Sequence, residues 1–135
     1  MSREEQTRHP ESRVFREERT KRIEGRALTK ELVLRAVEQV PPGSVVSYGD
    51  IAELVGTSAR RVGSIMASHG GEVSWWRVTN RNGELPARLL PLARKQWDRE
   101  GIGHDERRCS IATHRADLVQ VSGDYEAAVS NLVED

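Results

Sequence analysis

The amino-acid sequence predicts a mainly α-helical fold that carries a small β wing. Two apolar patterns with helical spacing follow each other at residues 48–55 and 59–68, and three residues separate them. A stretch with strand propensity, residues 73–78, then leads into an Asn-Gly turn at Asn82-Gly83. Two short helices joined by a tight turn predict a helix-turn-helix, and the strand and turn that follow predict its winged form.

The first predicted helix precedes this pair. It is expected to begin at Thr29, a candidate N-cap, and to end at Pro41-Pro42-Gly43. Five apolar residues recur along it at helical spacing: Leu32, Val33, Ala36, Val37 and Val40. The apolar pair Val45-Val46 that follows is long enough for a small strand.

Capping and stop residues delimit the two helices of the helix-turn-helix. Residues 47–50, Ser-Tyr-Gly-Asp, match a capping box that opens the first helix, and Gly56 ends it. Thr57 or Ser58 caps the second helix, which Gly70-Gly71 stops. This second helix is predicted to be the recognition helix.

The remaining patterns divide the chain into three segments. A last helix from Pro91 to Glu100, capped by Gly101, completes a folded domain over residues 28–103. Residues 1–27 are expected to be a charged, disordered tail, because 13 of the first 25 residues are charged. Residues 104–135 form an acidic extension in which apolar spacing predicts one more helix, from Asp117 to Val133.

The distribution of charge is more informative than its sum. The 21 basic and 21 acidic residues balance, so net charge does not indicate a nucleic-acid partner. Between residues 57 and 81, however, a single acid, Glu72, is outnumbered by four arginines: Arg60, Arg61, Arg77 and Arg81. The recognition helix and the wing are therefore locally basic, as a DNA-binding surface requires. Charge alone, however, favours the interpretation of these arginines as ordinary surface residues.

Composition also restricts the compartment and the chemistry. A single cysteine, Cys109, allows no internal disulfide, and the charged start of the chain lacks the apolar core of a signal peptide. We therefore expect a cytoplasmic protein without a membrane segment. His104, Cys109 and His114 do not have the spacing of a standard zinc site, and no phosphate-binding loop is present. No metal or other cofactor is predicted.

Three motifs together resemble a known family. Residues 45–52, Val-Val-Ser-Tyr-Gly-Asp-Ile-Ala, residues 59–66, Ala-Arg-Arg-Val-Gly-Ser-Ile-Met, and residues 75–78, Trp-Trp-Arg-Val, resemble the DNA-binding domain of the O6-alkylguanine-DNA alkyltransferases. In the repair enzymes the last motif is Pro-Cys-His-Arg-Val, and its cysteine accepts the alkyl group. Here Trp75 stands at that position. This substitution is typical of the alkyltransferase-like proteins, a non-enzymatic branch, and the double tryptophan resembles a bacterial subgroup of it.

The resemblance implies a function as well as a fold. The protein would be a monomeric sensor that binds O6-alkylguanine in double-stranded DNA and marks the lesion for nucleotide excision repair proteins. When bound to DNA it would be associated with the nucleoid. A stacked base cannot be inspected at its O6 edge, so the nucleotide would be flipped from the minor groove at a cost of a few kcal/mol.

The resemblance also assigns roles in the helix-turn-helix. Tyr48 would crowd the phosphate of the target nucleotide, and Arg60 would fill the space that the nucleotide leaves. Arg61 would contact a phosphate, while Gly63 and Ser64 would let the helix approach the DNA backbone. Each role has a structural alternative: a core tyrosine, a solvated helix face, or small residues that serve helix packing.

The lesion pocket is assigned to Trp75, Trp76, Arg77 and Val78. An indole offers an apolar face and no nucleophile for alkyl transfer, so Trp75 disables the chemistry. Trp76 disables it a second time, because it replaces the histidine that activates the cysteine. Trp75 could instead be a core residue that supports the wing. With no histidine to polarise, Glu100 is expected to be structural.

Two other functions remain open at this stage. An active alkyltransferase would need a cysteine at residue 75 or an unexpected role for Cys109. A winged-helix transcriptional regulator would need paired half-sites and a dimer, and the sequence shows no dimerisation heptad.

Overall fold

The computed structural model of the protein describes residues 25–133. Its helices are α1 (residues 25–38), α2 (Tyr48–Val55), α3 (Ala59–His69), α4 (Leu90–Glu100), α5 (Ile111–His114) and α6 (Leu118–Val133). Two short strands, β1 (Val46–Ser47) and β2 (Val78–Thr79), pair in parallel. The mainly helical fold class with a small sheet is thus confirmed. Most of the predicted N-terminal tail lies outside the described residues.

Helix α1 begins earlier than predicted. Thr29 lies inside the helix, where its Oγ1 donates a hydrogen bond of 2.9 Å to the Gly25 carbonyl, one turn earlier. The N-cap assignment of Thr29 is therefore wrong, because a threonine hydroxyl can bond to the preceding turn as well as cap a helix. The predicted apolar face is confirmed, with Val33 and Val37 fully buried.

The helix-turn-helix has the capping contacts that its sequence predicted. Ser47 Oγ accepts from the Asp50 N–H at 3.1 Å, and Asp50 Oδ2 accepts from the Ser47 N–H at 2.9 Å, which forms the capping box of α2. Gly56 ends α2 in the left-handed region at φ +86°. Ser58, rather than Thr57, caps α3 by accepting from the Arg61 N–H. The two helices are joined by residues 56–58.

The wing differs from the prediction in the extent of its strand. Residues 75–77 form a 3₁₀ turn, so the strand predicted over residues 73–78 is limited to β2, which pairs with β1. The turn that follows is confirmed: Asn80 Oδ1 accepts from the N–H groups of Asn82 and Glu84. Gly83 there has φ +81°, and a Cβ at this position would collide with the Cys109 carbonyl, so the turn requires glycine.

The last helix of the C-terminal extension packs on the same core as α1. The predicted helix is confirmed as α6, and Val121, Tyr125 and Val129 on it are buried together with the apolar face of α1. The chain before α6 is held by an Arg115–Asp50 ion pair of 2.5 Å. Trp75 and Trp76 pack against a second apolar cluster, which consists of Val45, Ala93, Trp97, Ile102, Cys109 and Ile111. No helix within residues 25–133 is both long and apolar enough to span a membrane.

Candidate nucleic-acid interface

A cavity of about 260 Å³ opens between α3 and the chain that leads into α4. Its lining is mostly apolar and comprises Tyr48, Gly63, Met66, Ala67, Gly70, Gly71, Trp75, Val78, Leu85, Pro86, Arg88, Leu89 and Leu92. We call it the Trp75 cavity. It is slightly smaller than the roughly 300–1,000 Å³ of small-molecule pockets, and its walls have the mixture of many apolar and few polar groups that such pockets show. A flat group with apolar faces, such as a base, matches this chemistry.

The Trp75 cavity collects residues from all three sequence motifs. Tyr48 comes from the start of α2, Gly63 from the middle of α3, and Trp75 and Val78 from the turn and strand that follow. The fold therefore brings these four predicted site residues together. Burial raises the pKa of Tyr48, so its hydroxyl stays protonated at neutral pH and can donate a hydrogen bond.

Trp75 gives the cavity an aromatic wall and no nucleophile. Its ring is half-buried and meets the ring of Trp76 edge to face, with 5.7 Å between the centroids and 85° between the planes. The chain's single cysteine, Cys109, is absent from the lining and is 2% exposed. Burial raises the pKa of its thiol to about 11, so almost no thiolate exists at neutral pH.

Trp76 and Arg77, which were also predicted to form the lesion pocket, do not line the Trp75 cavity. Trp76 Nε1 donates to Glu100 Oε2 at 2.9 Å, and Arg77 Nη2 donates to the same oxygen at 2.6 Å. Arg77 Nη1 also donates to the Val40 carbonyl at 3.0 Å. A 3₁₀ turn has three residues per turn, so successive side chains point in different directions. Trp75 therefore lines the cavity while the next two side chains bond to Glu100 behind it.

Glu100 joins this turn to two other parts of the fold. It lies at the end of α4, and its Oε1 accepts from the Gly43 N–H at 2.9 Å. Burial alone would raise the pKa of Glu100, but hydrogen bonds from Arg77, Gly43 and Trp76, together with the charge of Arg77, outweigh burial and lower it. The carboxylate is therefore ionised at neutral pH and holds the turn from which Trp75 projects.

The outer face of α3 lies beside the cavity. Arg60 and Ser64 are exposed on it, one helical turn apart, and Arg61 is half-buried on the neighbouring face. None of the three lines the Trp75 cavity. The structure therefore separates the predicted residues into a cavity group and a surface group on the recognition helix.

Arg88 is a cavity residue that the sequence did not indicate. It is exposed in the 3₁₀ turn Ala87–Leu89 and is the one charged side chain in the lining of the Trp75 cavity. No sequence motif contains it, and the only signal was its place between Pro86 and Pro91, just before the predicted last helix. Leu92, also in the lining, remains 56% exposed. The described part of the chain brings no three metal-ligating side chains together.

Comparisons with known proteins agree on one family. Residues 29–102 match the family model described as 6-O-methylguanine DNA methyltransferase, DNA binding domain. A DNA base-flipping protein of Vibrio parahaemolyticus is 33% identical over 76 residues, which span 52% of this chain and 76% of that protein. A DNA base-flipping protein of Escherichia coli is 39% identical over 57 residues, which span 39% of this chain and 44% of that protein.

A solved structure extends the comparison to the fold. The crystal structure of S. pombe Atl1, in complex with damaged DNA containing O6-carboxymethylguanine, superposes with a TM-score of 0.56 at 26% sequence identity. The match covers 64% of this chain and 93% of the Atl1 chain. This chain and Atl1 therefore share the same fold and have a detectable sequence relationship.

Proposed function

The chain belongs to the family of the 6-O-methylguanine DNA methyltransferase DNA-binding domain, and on this premise we propose that it binds O6-alkylguanine in duplex DNA without removing the alkyl group. The lesion nucleotide is flipped from the minor groove into the Trp75 cavity. The observation that carries the proposal is a base-sized apolar cavity beside α3 whose wall holds a tryptophan and no thiol. The base-flipping relatives, and the damaged DNA bound to Atl1, support the same function.

The energetics of flipping fit this cavity. Extruding a base costs a few kcal/mol, and less when alkylation has already weakened its pairing. Stacking on an aromatic side chain returns about 1–3 kcal/mol per base, and Trp75 provides that face. Outside the cavity, Arg60 fills the gap in the stack and Arg61 contacts a phosphate. Tyr48, at the edge of the cavity, crowds the phosphate of the flipped nucleotide.

Chemical transfer of the alkyl group has no acceptor in this arrangement. Trp75 carries no nucleophilic atom for the reaction, and the thiol of Cys109 is buried and protonated. The protein therefore acts by marking the lesion, and nucleotide excision repair proteins are its proposed downstream partners. We propose that it works as a monomer in the cytoplasm and associates with the nucleoid through DNA.

A comparison of three DNA ligands tests this proposal against its alternatives. We expect the tightest binding to a duplex with one O6-methylguanine, weaker binding to the matched guanine duplex, and no enriched sequence from a genomic library. An enriched sequence motif would instead indicate a transcriptional regulator. If a radiolabelled methyl group moved from the lesion duplex to the protein, the protein would be an alkyltransferase.

The two adjacent arginines of α3 are expected to respond differently to alanine. Arg60→Ala should weaken binding to the lesion duplex more than binding to plain duplex, because only a flipped nucleotide leaves a gap to fill. Arg61→Ala should weaken binding to both duplexes about equally. It should also lower the slope of log K against log salt concentration by about 1, as the loss of one phosphate contact does. Fluorescence anisotropy with both duplexes over a salt series measures these effects. Identical behaviour of the two variants would contradict the assigned roles.

A further inference from the structure

A second concave surface lies on the other side of α3. The first turns of α1 run beside α3 and leave a groove of about 290 Å³, which we call the α1–α3 groove. Its polar lining consists of Arg26, Lys30, Arg61, Ser64, Ser68 and His69. The groove shares none of its lining residues with the Trp75 cavity.

The α1–α3 groove is strongly basic. Arg26, Lys30 and Arg61 bring three positive charges to it, and no carboxylate is part of its lining. Within residues 25–133 none of these three side chains forms an ion pair. His69 has one acidic neighbour, Glu72, and the distance of 3.9 Å between Nδ1 and Oε2 is too long for a hydrogen bond. Two serine hydroxyls add neutral donors. Cations with hydroxyl donors are the groups that contact DNA phosphates, and the described lining of the groove includes no tryptophan, tyrosine or phenylalanine side chain that could anchor a protein partner.

The position of the groove on α3 decides what it can reach. With 3.6 residues per turn, Gly63 and Met66 face one flank of the helix and line the Trp75 cavity. Arg61 and Ser68 face the opposite flank and line the α1–α3 groove. The exposed ridge that carries Arg60 runs between them. The recognition helix therefore has the cavity on one side and the basic groove on the other.

A helix laid in a DNA groove has one strand on each flank. Each groove of the duplex is bounded by two sugar-phosphate backbones, and a helix 10–12 Å across is wider than the ~6 Å minor groove, so both backbones press against it. If the damaged strand delivers its nucleotide to the Trp75 cavity, the backbone on the opposite flank belongs to the complementary strand. We propose that the α1–α3 groove binds phosphates of that complementary strand, an inference that rests on the proposed function for the choice of strand.

This contact would serve the flipping reaction. Extruding one nucleotide removes its stacking and pairing while both backbones stay continuous, and it distorts the damaged strand more than the complementary strand. A grip on the complementary strand therefore keeps α3 seated while the base moves. Phosphate contacts carry no sequence information and position the protein on the duplex. The groove is therefore expected to add affinity for damaged and undamaged DNA alike, without adding selectivity for the lesion.

The first test is the salt dependence of binding by the double variant Arg26→Gln/Lys30→Gln. Each phosphate contact contributes about 0.9 to the slope of log K against log salt concentration, so losing both should reduce the slope by about 1.8. The ratio of affinities for O6-methylguanine and guanine duplexes should stay unchanged. The matched control is Lys95→Gln/Arg99→Gln, which removes two exposed charges of α4 that line neither concave surface. An equal slope for wild type and Arg26→Gln/Lys30→Gln would overturn the proposal.

The second test identifies the strand. Neutral methylphosphonates are placed near the lesion in one strand at a time, and binding by wild type and by Arg26→Gln/Lys30→Gln is compared. We expect the complementary-strand substitution to weaken wild type and to have little further effect on the variant. The reverse pattern, with the damaged strand sensitive, would overturn the strand assignment. If wild type bound the O6-methylguanine duplex and the guanine duplex with equal affinity, the proposed lesion recognition would fail. The slope measurement would still decide whether the groove binds phosphate.

Discussion

Glu100→Ala is expected to lower the free energy of unfolding by about 3–5 kcal/mol, because it leaves a buried charge without its partner. Arg77 and Glu100 are only 13% and 9% exposed in their side chains, and their closest atoms are 2.6 Å apart. The substitution also removes the acceptor of the Trp76 indole and of the Gly43 N–H. Urea unfolding followed by circular dichroism measures the loss.

Two controls separate this effect from a general cost of substitution. Glu53→Ala on the exposed face of α2 should change stability by no more than about 0.5 kcal/mol. Replacing both partners, as in Arg77→Met/Glu100→Leu, should recover much of the loss, since a matched apolar pair leaves no unpaired charge. A Glu100→Ala protein as stable as Glu53→Ala would contradict the role given to this ion pair.

The same residue predicts the direction of a pH effect. The folded-state pKa of Glu100 lies below its ordinary value, so its stabilising contribution is present above that ordinary value. The contribution is lost as pH falls through the lower, folded-state pKa. As pH falls, the free energy of unfolding should therefore decrease more steeply for wild type than for Glu100→Gln, which cannot titrate at this position.

Adding Trp76→His to Trp75→Cys is expected to raise the rate of alkyl transfer by about 10²–10⁴-fold. A thiol at residue 75 would line the Trp75 cavity, but at its ordinary pKa it is mostly protonated near neutral pH, so the single variant should be slow. A histidine at residue 76 would supply a base. Glu100, which accepts from the Trp76 indole at 2.9 Å, is placed to orient that base.

Single-turnover demethylation of an O6-methylguanine duplex measures both rates. A Cys109→Ala background leaves the introduced thiol as the only one in the chain. Trp75→Ser/Trp76→His is the matched control, because it supplies the base and lacks the thiol, and it should transfer nothing. A Trp75→Cys protein that reacts quickly and gains nothing from histidine would show that Trp76 does not occupy the position of the family's base.

The sequence predicted those parts of the fold that depend on local interactions. The capping box at Ser47 and Asp50 and the glycine stop at Gly56 need only neighbouring residues, and all appear in the structure. The family motifs assigned Trp75 and Val78 to one pocket, and the fold places both in the lining of one cavity, which Tyr48 also borders.

Features that depend on distant contacts could not be predicted in the same way. Residues 75–77 have strand propensity, yet they form a 3₁₀ turn in which two side chains bond to Glu100, more than 20 residues away. Strand propensity reflects packing on a sheet, and here the pairing with β1 begins only at Val78, after this segment. The docking of α6 and the approach of Arg88 to the cavity also arise only once the elements pack together.

The measurement that tests the central claim most directly is the ratio of two dissociation constants. Wild-type protein is titrated, at one fixed moderate salt concentration, into duplexes that differ only in carrying O6-methylguanine or guanine at a single position. Easier extrusion and stacking on Trp75 predict a preference of about 1–3 kcal/mol for the lesion, or roughly 5- to 150-fold, with no methyl group transferred to the protein. Equal dissociation constants would contradict the account and leave a protein that binds DNA without recognising the damaged base.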